Sequence, residues 1–551
     1  VPAAVSNTTP EQSRHVKDNV TIVGAGPGGL ASAILLASAG ARVTVLEARE
    51  RVGGRTSSHL AEGFRFDTGP TFFLYPEVLE SIFAAAGRTL RDEIELLPVD
   101  PLYRLHFGGG ERLDATDDIA LLSRRVGALS PVDAEAVPRF FSDNERKLES
   151  FLPFLQKAFL SGKDLLDPKL VRLLPTLAPW RQLDKELERY FVDPRVRMAF
   201  SFQALYLGMT PATCPSLFSI LPLIEYRYGV WHPRGGCGAI MDTMARVASE
   251  LGVDIRLDTP VRGLHFDGAR VTGVETDDER VGADAVVLNA DFADAMQKLV
   301  PNRLRKTWND KRLAKQRYSC STFMLYLGLE GRFDDQPHHS VYMPDDYQRH
   351  LDDIDAASDM TPDPAFYVQN ASVTDDSLAP DGHSTLYLLM PVAHQRDASR
   401  IDWSKQAPVH RRLAMKQLAR IGFDDVERRI RYERHLTPTQ WRDDYHIHRG
   451  ATFSMAHNFS QMLHRRPRNR FEDLDGVYLV GGGTHPGSGL PTIFESARIS
   501  TALLCEDLGL RAPLVPAVAA RAAASYERSM PQALTRRGGV AGTSSTETSR
   551  V

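Results

Sequence analysis

Cysteine is scarce in this chain: Cys214, Cys237, Cys320 and Cys505 lie far apart, with no CxxC pair and no Cys/His ligand spacing. That argues against a disulfide framework and a zinc site, and it fits a reducing compartment, the cytoplasm. No unbroken apolar run reaches the roughly 18 to 20 residues that a membrane-crossing helix requires. Basic residues are not in excess either. With 66 Lys and Arg against 70 Asp and Glu, the net charge is −4, so no face for nucleic-acid phosphates is expected. At 551 residues the chain exceeds one ordinary core, and about two to four lobes are expected. Residues 1–17 are polar and read as a flexible leader; residues 511–551, rich in Ala, Arg, Ser and Gly, read as a largely flexible tail.

What is present begins at residue 20 with "VTIVGAGPGGLASAILLASAGARVTVLEARERVGGR". A short β-branched run, a glycine turn and a small-residue stretch predict strand, turn and helix. Gly24 permits the tight turn, Gly26 lets the backbone approach a pyrophosphate, and Gly29 lets helix and strand pack closely. A second strand then delivers Glu47, eighteen residues beyond Gly29, where a carboxylate accepts from ribose hydroxyls. Together these features point to an adenosine dinucleotide. Elsewhere the chain has no second GxGxxG, as a nicotinamide-driven monooxygenase would carry, so the bound cofactor is expected to take hydride from substrate.

The words that follow carry a family resemblance. "RERVGGR" (residues 49–55) resembles the extended fingerprint of FAD-dependent amine oxidases, protoporphyrinogen oxidases and carotenoid desaturases. The resemblance implies that Gly53 and Gly54 pass close to the flavin and that Arg55 reaches the pyrophosphate. A fixed cation beside two phosphates makes charge-assisted bonds, which agrees. "FDTGPTFF" (66–73) sets Gly69, Pro70 and Thr71 under the flavin ring. Further segments read as returns to the same unit: a glycine loop, helix and strand pair (229–264, with Val261), a buried strand ending at Asn289 (283–295), and a strand, glycine turn and helix (476–509). In the last, Gly483, Leu490 and Pro491 bring a helix N-terminus to the flavin's carbonyl edge.

The expected fold is therefore α/β: a Rossmann-like FAD-binding domain (18–115, 229–299 and 471–510) interleaved with an α+β substrate-binding and membrane-associating domain (116–228 and 300–470). More narrowly, residues 96–107, 228–236, 338–347, 373–394 and 479–491 resemble the bacterial phytoene desaturases, with Thr492 where many members have glycine. This implies removal of hydride and proton from an acyclic carotenoid or apocarotenoid, with quinone or oxygen as terminal acceptor. The alternatives are a thirty-carbon dehydrosqualene-type desaturase, a flavin-dependent polyene isomerase and an amine oxidase-like flavoenzyme. A hydrocarbon gives a metal or a catalytic triad nothing to grip, so no metal is expected and the protein supplies orientation, an apolar tunnel and one base.

For that base, "FFSDNERK" (140–147) puts Asp143 and Arg146 on one helical face, where the family resemblance places an Asp/Arg pair; a surface ion pair is the alternative. His232 and His485 beside glycine turns read as loop-ordering residues, and His338 and His339, adjacent on a strand, as structural side chains facing opposite ways. Because the substrate lives in lipid, the protein is expected to dock peripherally on the inner membrane. Residues 151–180, apolar but interrupted by Lys157, Lys163, Lys169 and Arg172, are the candidate surface; packing on the protein's own core is the alternative.

Overall fold

The strand Asn19–Val23 (β1) pairs on one side with Arg42–Leu46 (β2), reached through the helix Pro27–Ser38 (α1). The β-branched run predicts this, and Pro27 starts the helix where its missing N–H costs nothing. The computed structural model describes residues 18–356, 362–396, 401–513 and 515. The expected leader lies outside these residues, as does most of the expected tail.

The sheet is completed from distant segments. The helix Cys237–Glu250 (α2) leads to Asp254–Arg256 (β3), which pairs with β2; Ala285–Leu288 (β4) pairs with β1, and Val477–Leu479 (β5) with β4. The five strands run parallel in the order β3-β2-β1-β4-β5. Both faces are buried, and the period of two is visible in the packing. Val20, Ile22, Val43, Val45, Ala285 and Val287 enter one core with α1, α2 and the helix Leu490–Leu508 (α3). Val23, Leu46, Val286 and Leu288 enter another, covered by a three-stranded antiparallel sheet spanning residues 263–282. Each buried Val, Leu or Ile side chain among them stabilises the fold by about 1.5 to 3 kcal/mol.

A second, seven-stranded sheet is ordered Ile430–Leu436, Ser321–Glu330, His383–Val392, Phe366–Gln369, His339–Met343, Arg104–Phe107 and Arg112–Asp114. All its pairs are antiparallel except that of His339–Met343 with Arg104–Phe107. Residues 104–114, expected with the parallel sheet, thus pair here instead: the alternation of Leu105 and Phe107 matches a half-buried strand anywhere, and only the partner decides the sheet. One face of Ser321–Glu330 (Phe323, Leu325, Leu327, Leu329) packs toward the helix Trp403–Arg420; the other carries Thr322 and Met324 to the wall of a central cavity.

Residues 151–180 do not form one amphipathic helix. The helix Pro131–Leu155 ends, a 3-10 turn Gly162–Leu166 follows, and Asp167 caps Pro168–Leu177 by accepting from the Lys169 N–H. No described helix is long and apolar enough to cross a membrane.

Candidate functional site

The glycine turn, the Gly53–Gly54 loop and the face of the second sheet border one cavity of about 670 Å³. At one end β2 delivers Glu47. Its carboxylate oxygens accept from the backbone N–H groups of Ala25 (2.7 Å) and Arg49 (3.1 Å). Burial raises its pKa, opposed by these N–H donors. Two such bonds leave lone pairs free for hydroxyl donors.

The turn is held by the bond from Gly24 N–H to Leu46 O (2.8 Å), with Gly24 at φ +98°. Asn289, at the end of β4, donates from Nδ2 to Gly24 O (3.1 Å) and lies under the loop. A Cβ on Gly26 would come within 2.8 Å of this same amide nitrogen. The bare backbone is therefore what lets the loop lie on the cavity wall, with the first N–H groups of α1 free of any side-chain cap.

Gly53, at φ +101°, donates to Ala25 O (2.8 Å) and turns the chain so that Arg55 enters the cavity. The Arg55 guanidinium donates to Thr452 O (2.6 Å), and burial lowers its pKa while Asp291 opposes the shift. Next along the wall come Gly69, Pro70 and Thr71. Gly69 O accepts from the Tyr387 hydroxyl (2.6 Å), and Thr71 Oγ1 is 2.7 Å from the Tyr367 hydroxyl. Val261, Gly483, Leu490 and Pro491 close the rim, and Thr492 folds its hydroxyl onto Ser488 O (2.8 Å).

Of the expected residues, Gly24, Gly26, Glu47, Gly54, Arg55, Gly69, Pro70, Thr71, Val261, Gly483, Leu490 and Pro491 thus share this cavity. Gly29, in the first turn of α1, and Gly53, in the loop before Gly54, sit behind it. A carboxylate, bare N–H groups, a cation and an apolar floor in this order fit an adenosine dinucleotide with a flat ring at its far end.

Beyond Thr71 the wall turns apolar, with Phe72, Phe202, Leu205, Ile224, Val341, Met343 and Leu389. Behind Tyr206, also on this wall, Glu225 is buried and accepts from Tyr103 (3.0 Å) and Gln203 (3.0 Å); burial pushes its carboxyl up to about 7.

Asp143 and Arg146 lie elsewhere. They form the expected i,i+3 ion pair on Pro131–Leu155, Asp143 also accepting from the Tyr190 hydroxyl (2.9 Å), but Arg146 is 72% exposed and neither residue lines the cavity. The structure supports the surface reading of this pair, since the helix turns its Phe140 and Phe141 side inward and this face out. His485 is buried against Lys157 O (3.0 Å) and Phe159. His338 and His339 do not face apart: the strand begins at His339, alternation does not extend to His338, and their rings lie 4.2 Å apart. The residues that sequence reasoning missed are Tyr367, Tyr387 and Asn289; the strand-end reading reached Asn289 without assigning it a role.

Among known proteins, the family described as flavin containing amine oxidoreductase matches residues 27–504. The chain is 40% identical over 490 residues to a 4,4'-diapophytoene desaturase (4,4'-diapolycopene-forming) of Methylomonas sp, covering 89% of this chain and 95% of that one. It is 41% identical over 503 residues to an all-trans-zeta-carotene desaturase of Myxococcus xanthus, covering 89% and 94%. A lycopene-forming phytoene desaturase of Pseudescherichia vulneris is 35% identical, with 88% and 99% covered. Among solved structures, an oxidoreductase from Methanosarcina mazei superposes with TM-score 0.58 at 17% identity (87% and 98% covered), and putrescine oxidase bound to putrescine with 0.55 at 15% (90% and 99%). The likeness to these structures is one of fold.

Proposed function

The chain belongs to the flavin-containing amine oxidoreductases and, within them, to the bacterial carotenoid desaturases; from that premise we propose that its cavity binds FAD at the Glu47–Arg55 end and an acyclic carotenoid or apocarotenoid beyond Thr71. It is a flavin-dependent oxidoreductase acting on CH–CH bonds of a carotenoid, in carotenoid biosynthesis. The observation that carries the assignment of the two ends is the continuity of the cavity from the Glu47 carboxylate to an apolar wall.

Bound flavin supplies the two-electron acceptor that a hydrocarbon requires. The chain's own residues do the rest. Glu47 would accept from the ribose hydroxyls, Arg55 would neutralise the pyrophosphate, and the N-terminus of α3 would face the ring's electron-rich edge. Phe72, Ile224, Val341 and Met343 would exclude water from the polyene and hold it along the wall beyond Thr71. We read the parallel sheet as the dinucleotide-binding unit and the seven-stranded sheet with the helices of 116–228 as the substrate unit.

The test is anaerobic incubation of the FAD-loaded protein with phytoene, zeta-carotene or diapophytoene in liposomes. Flavin absorbance should bleach, and the product should lose two hydrogens per step; turnover with a quinone or with oxygen then identifies the acceptor. A flavin that no polyene bleaches overturns the assignment.

The same reading needs a route from lipid. Leu166, Val171 and Trp180 are 73%, 46% and 66% exposed, and Lys163, Lys169 and Arg172 are exposed among them, whereas Leu170 and Leu177 face the core. This arrangement supports a peripheral membrane surface, with apolar side chains for the headgroup boundary and cations for anionic lipid. Changing Leu166, Val171 and Trp180 together to Ser should abolish flotation with anionic liposomes while FAD content stays at the wild-type level. Unchanged flotation would remove this surface from the proposal.

A further inference from the structure

Behind the Phe72 and Tyr367 portion of the cavity wall lies a buried polar line that the proposed function leaves unused. The Tyr367 hydroxyl, on the wall, is 2.7 Å from Thr71 Oγ1 and 2.7 Å from His339 Nδ1. Phe72 stacks on the His339 ring at 4.1 Å, shielding it from the cavity. The ring of His338 lies 4.2 Å from that of His339 and 4.8 Å from that of His232. His232 Nε2 then meets Asp375 Oδ2 at 3.1 Å. Asp375 also accepts from the Gly235 N–H (2.6 Å) and the Ser377 hydroxyl (2.6 Å), and Arg234, 43% exposed, lies 3.5 Å from its other oxygen. The line thus runs from the cavity wall to one residue short of solvent.

Two atoms of this line lack a hydrogen-bond partner: His339 Nε2 and His232 Nδ1, both on fully buried rings. Leaving a buried polar nitrogen unpaired costs about 1 to 3 kcal/mol, so two in one cluster call for a reason. They are complementary. With Nδ1 of His339 accepting from Tyr367, its Nε2 carries the hydrogen; with Nε2 of His232 donating to Asp375, its Nδ1 keeps a lone pair. His338 differs, since Thr374 (2.7 Å) and Gln369 (3.1 Å) engage both its nitrogens.

Resting on the desaturase reading, we propose that Tyr367, His339, His232 and Asp375 form a relay that carries the substrate's proton from the reacting carbon, away from the cavity, to the buried His232–Asp375 pair. As hydride leaves one carbon for the flavin with its electron pair, the vicinal C–H bond breaks and its pair becomes the new π bond. Its proton bonds to Tyr367 Oη while the Tyr367 hydroxyl proton moves to His339 Nδ1. His339 Nε2 releases its own proton to His232 Nδ1 through one bridging water, since the two nitrogens make no direct hydrogen bond. The charge comes to rest as a His232 imidazolium against the Asp375 carboxylate, beside the exposed Arg234 rim.

The surroundings suit these roles. Burial, with His232 nearby, holds His339 well below the usual imidazole range, so it passes a proton on rather than keeping it. Burial alone would push Asp375 up, but hydrogen bonds from His232, Ser377 and Gly235 outweigh it and keep the carboxylate ionised. Tyr367 is the catalytic residue of the set, and the histidines act through it.

Anaerobic flavin reduction by the polyene, on FAD-loaded protein, tests the relay. His339→Asn keeps a carbonyl acceptor for Tyr367 but cannot take a proton. It should bind FAD as wild type, slow flavin reduction by about 100-fold or more, and lose the solvent deuterium isotope effect that the moving Tyr367 and His339 protons give the wild type. His232→Asn should behave alike, whereas His338→Asn should stay within a few-fold of wild type. Wild-type rates in the first two variants, or equal losses in all three, would overturn the relay. A second readout needs no substrate: nitrogen NMR of labelled histidines in the FAD-loaded protein. Asp375→Asn should shift the tautomer signals of His339 as well as His232; a shift confined to His232 would overturn the relay. If no polyene reduces even the wild-type flavin, the desaturase reading fails, and the NMR result alone decides whether the histidines are coupled.

Discussion

Replacement of Gly29 by alanine is expected to leave the protein without flavin. A Cβ there would sit 2.1 Å from Gly24 O and 3.0 Å from Asn289 Nδ2. Neither neighbour is free to yield: Gly24 is tied to Leu46 O at 2.8 Å, and Gly24 O accepts from the Asn289 amide at 3.1 Å. The helix must move off the strand, and the loop that presents N–H groups to phosphate opens with it. Overpacking of this kind costs about 1 to 3 kcal/mol or more, and here the cost falls on the cofactor site itself. Flavin absorbance per mole of purified protein should fall to under about a tenth of wild type, since roughly 1.4 kcal/mol is already tenfold in binding. Gly127→Ala, whose added Cβ would meet its nearest neighbour at 3.5 Å, should retain full flavin. Full flavin in Gly29→Ala would mean that the turn does not carry the phosphates.

Arg55→Met should weaken FAD binding by about 10- to 100-fold, the worth of one charge-assisted hydrogen bond at roughly 1.5 to 3 kcal/mol. The same variant should bind riboflavin, which lacks the pyrophosphate, as the wild type does. Isothermal titration of both flavins into deflavinated protein separates two roles for this side chain. Equal losses for both would assign Arg55 to holding the Thr452 carbonyl, 2.6 Å from its guanidinium, rather than to the phosphates.

Much of the parallel sheet was legible because each strand carries its own signal: Val20 to Val23 and Val43 to Leu46 are β-branched or apolar throughout, and glycines punctuate the turns between them. Glu47 followed from its spacing beyond Gly29, and Arg55 from the family resemblance of residues 49–55. Tyr367 and Tyr387 did not, because their place on the cavity wall is set by pairing across the seven-stranded sheet, where Tyr367 lies opposite Leu389 and Tyr387 opposite Tyr326. No local pattern records such a pairing. Asp143 and Arg146 show the converse: their local geometry was read correctly as an i,i+3 pair, but which way the helix would face depended on Phe140, Phe141 and their distant partners. The histidine cluster escaped for a similar reason, since His232, His338 and Asp375 come from three separate segments that meet only in the folded chain.

The parallel sheet is assembled from residues 19–46, 254–256, 285–288 and 477–479, and α3 then packs on α1. An order of biosynthesis follows from this. While the ribosome is still making residues 300 to 470, the glycine loop lacks β5 at the sheet's edge and α3 against its helix, and these are the last described elements to emerge. Contacts of such sequence separation form slowly. On the proposed function, cofactor capture is therefore expected to come late in the life of each molecule, and a nascent chain stalled before residue 477 should hold most of the residues proposed to contact the dinucleotide and still fail to retain it.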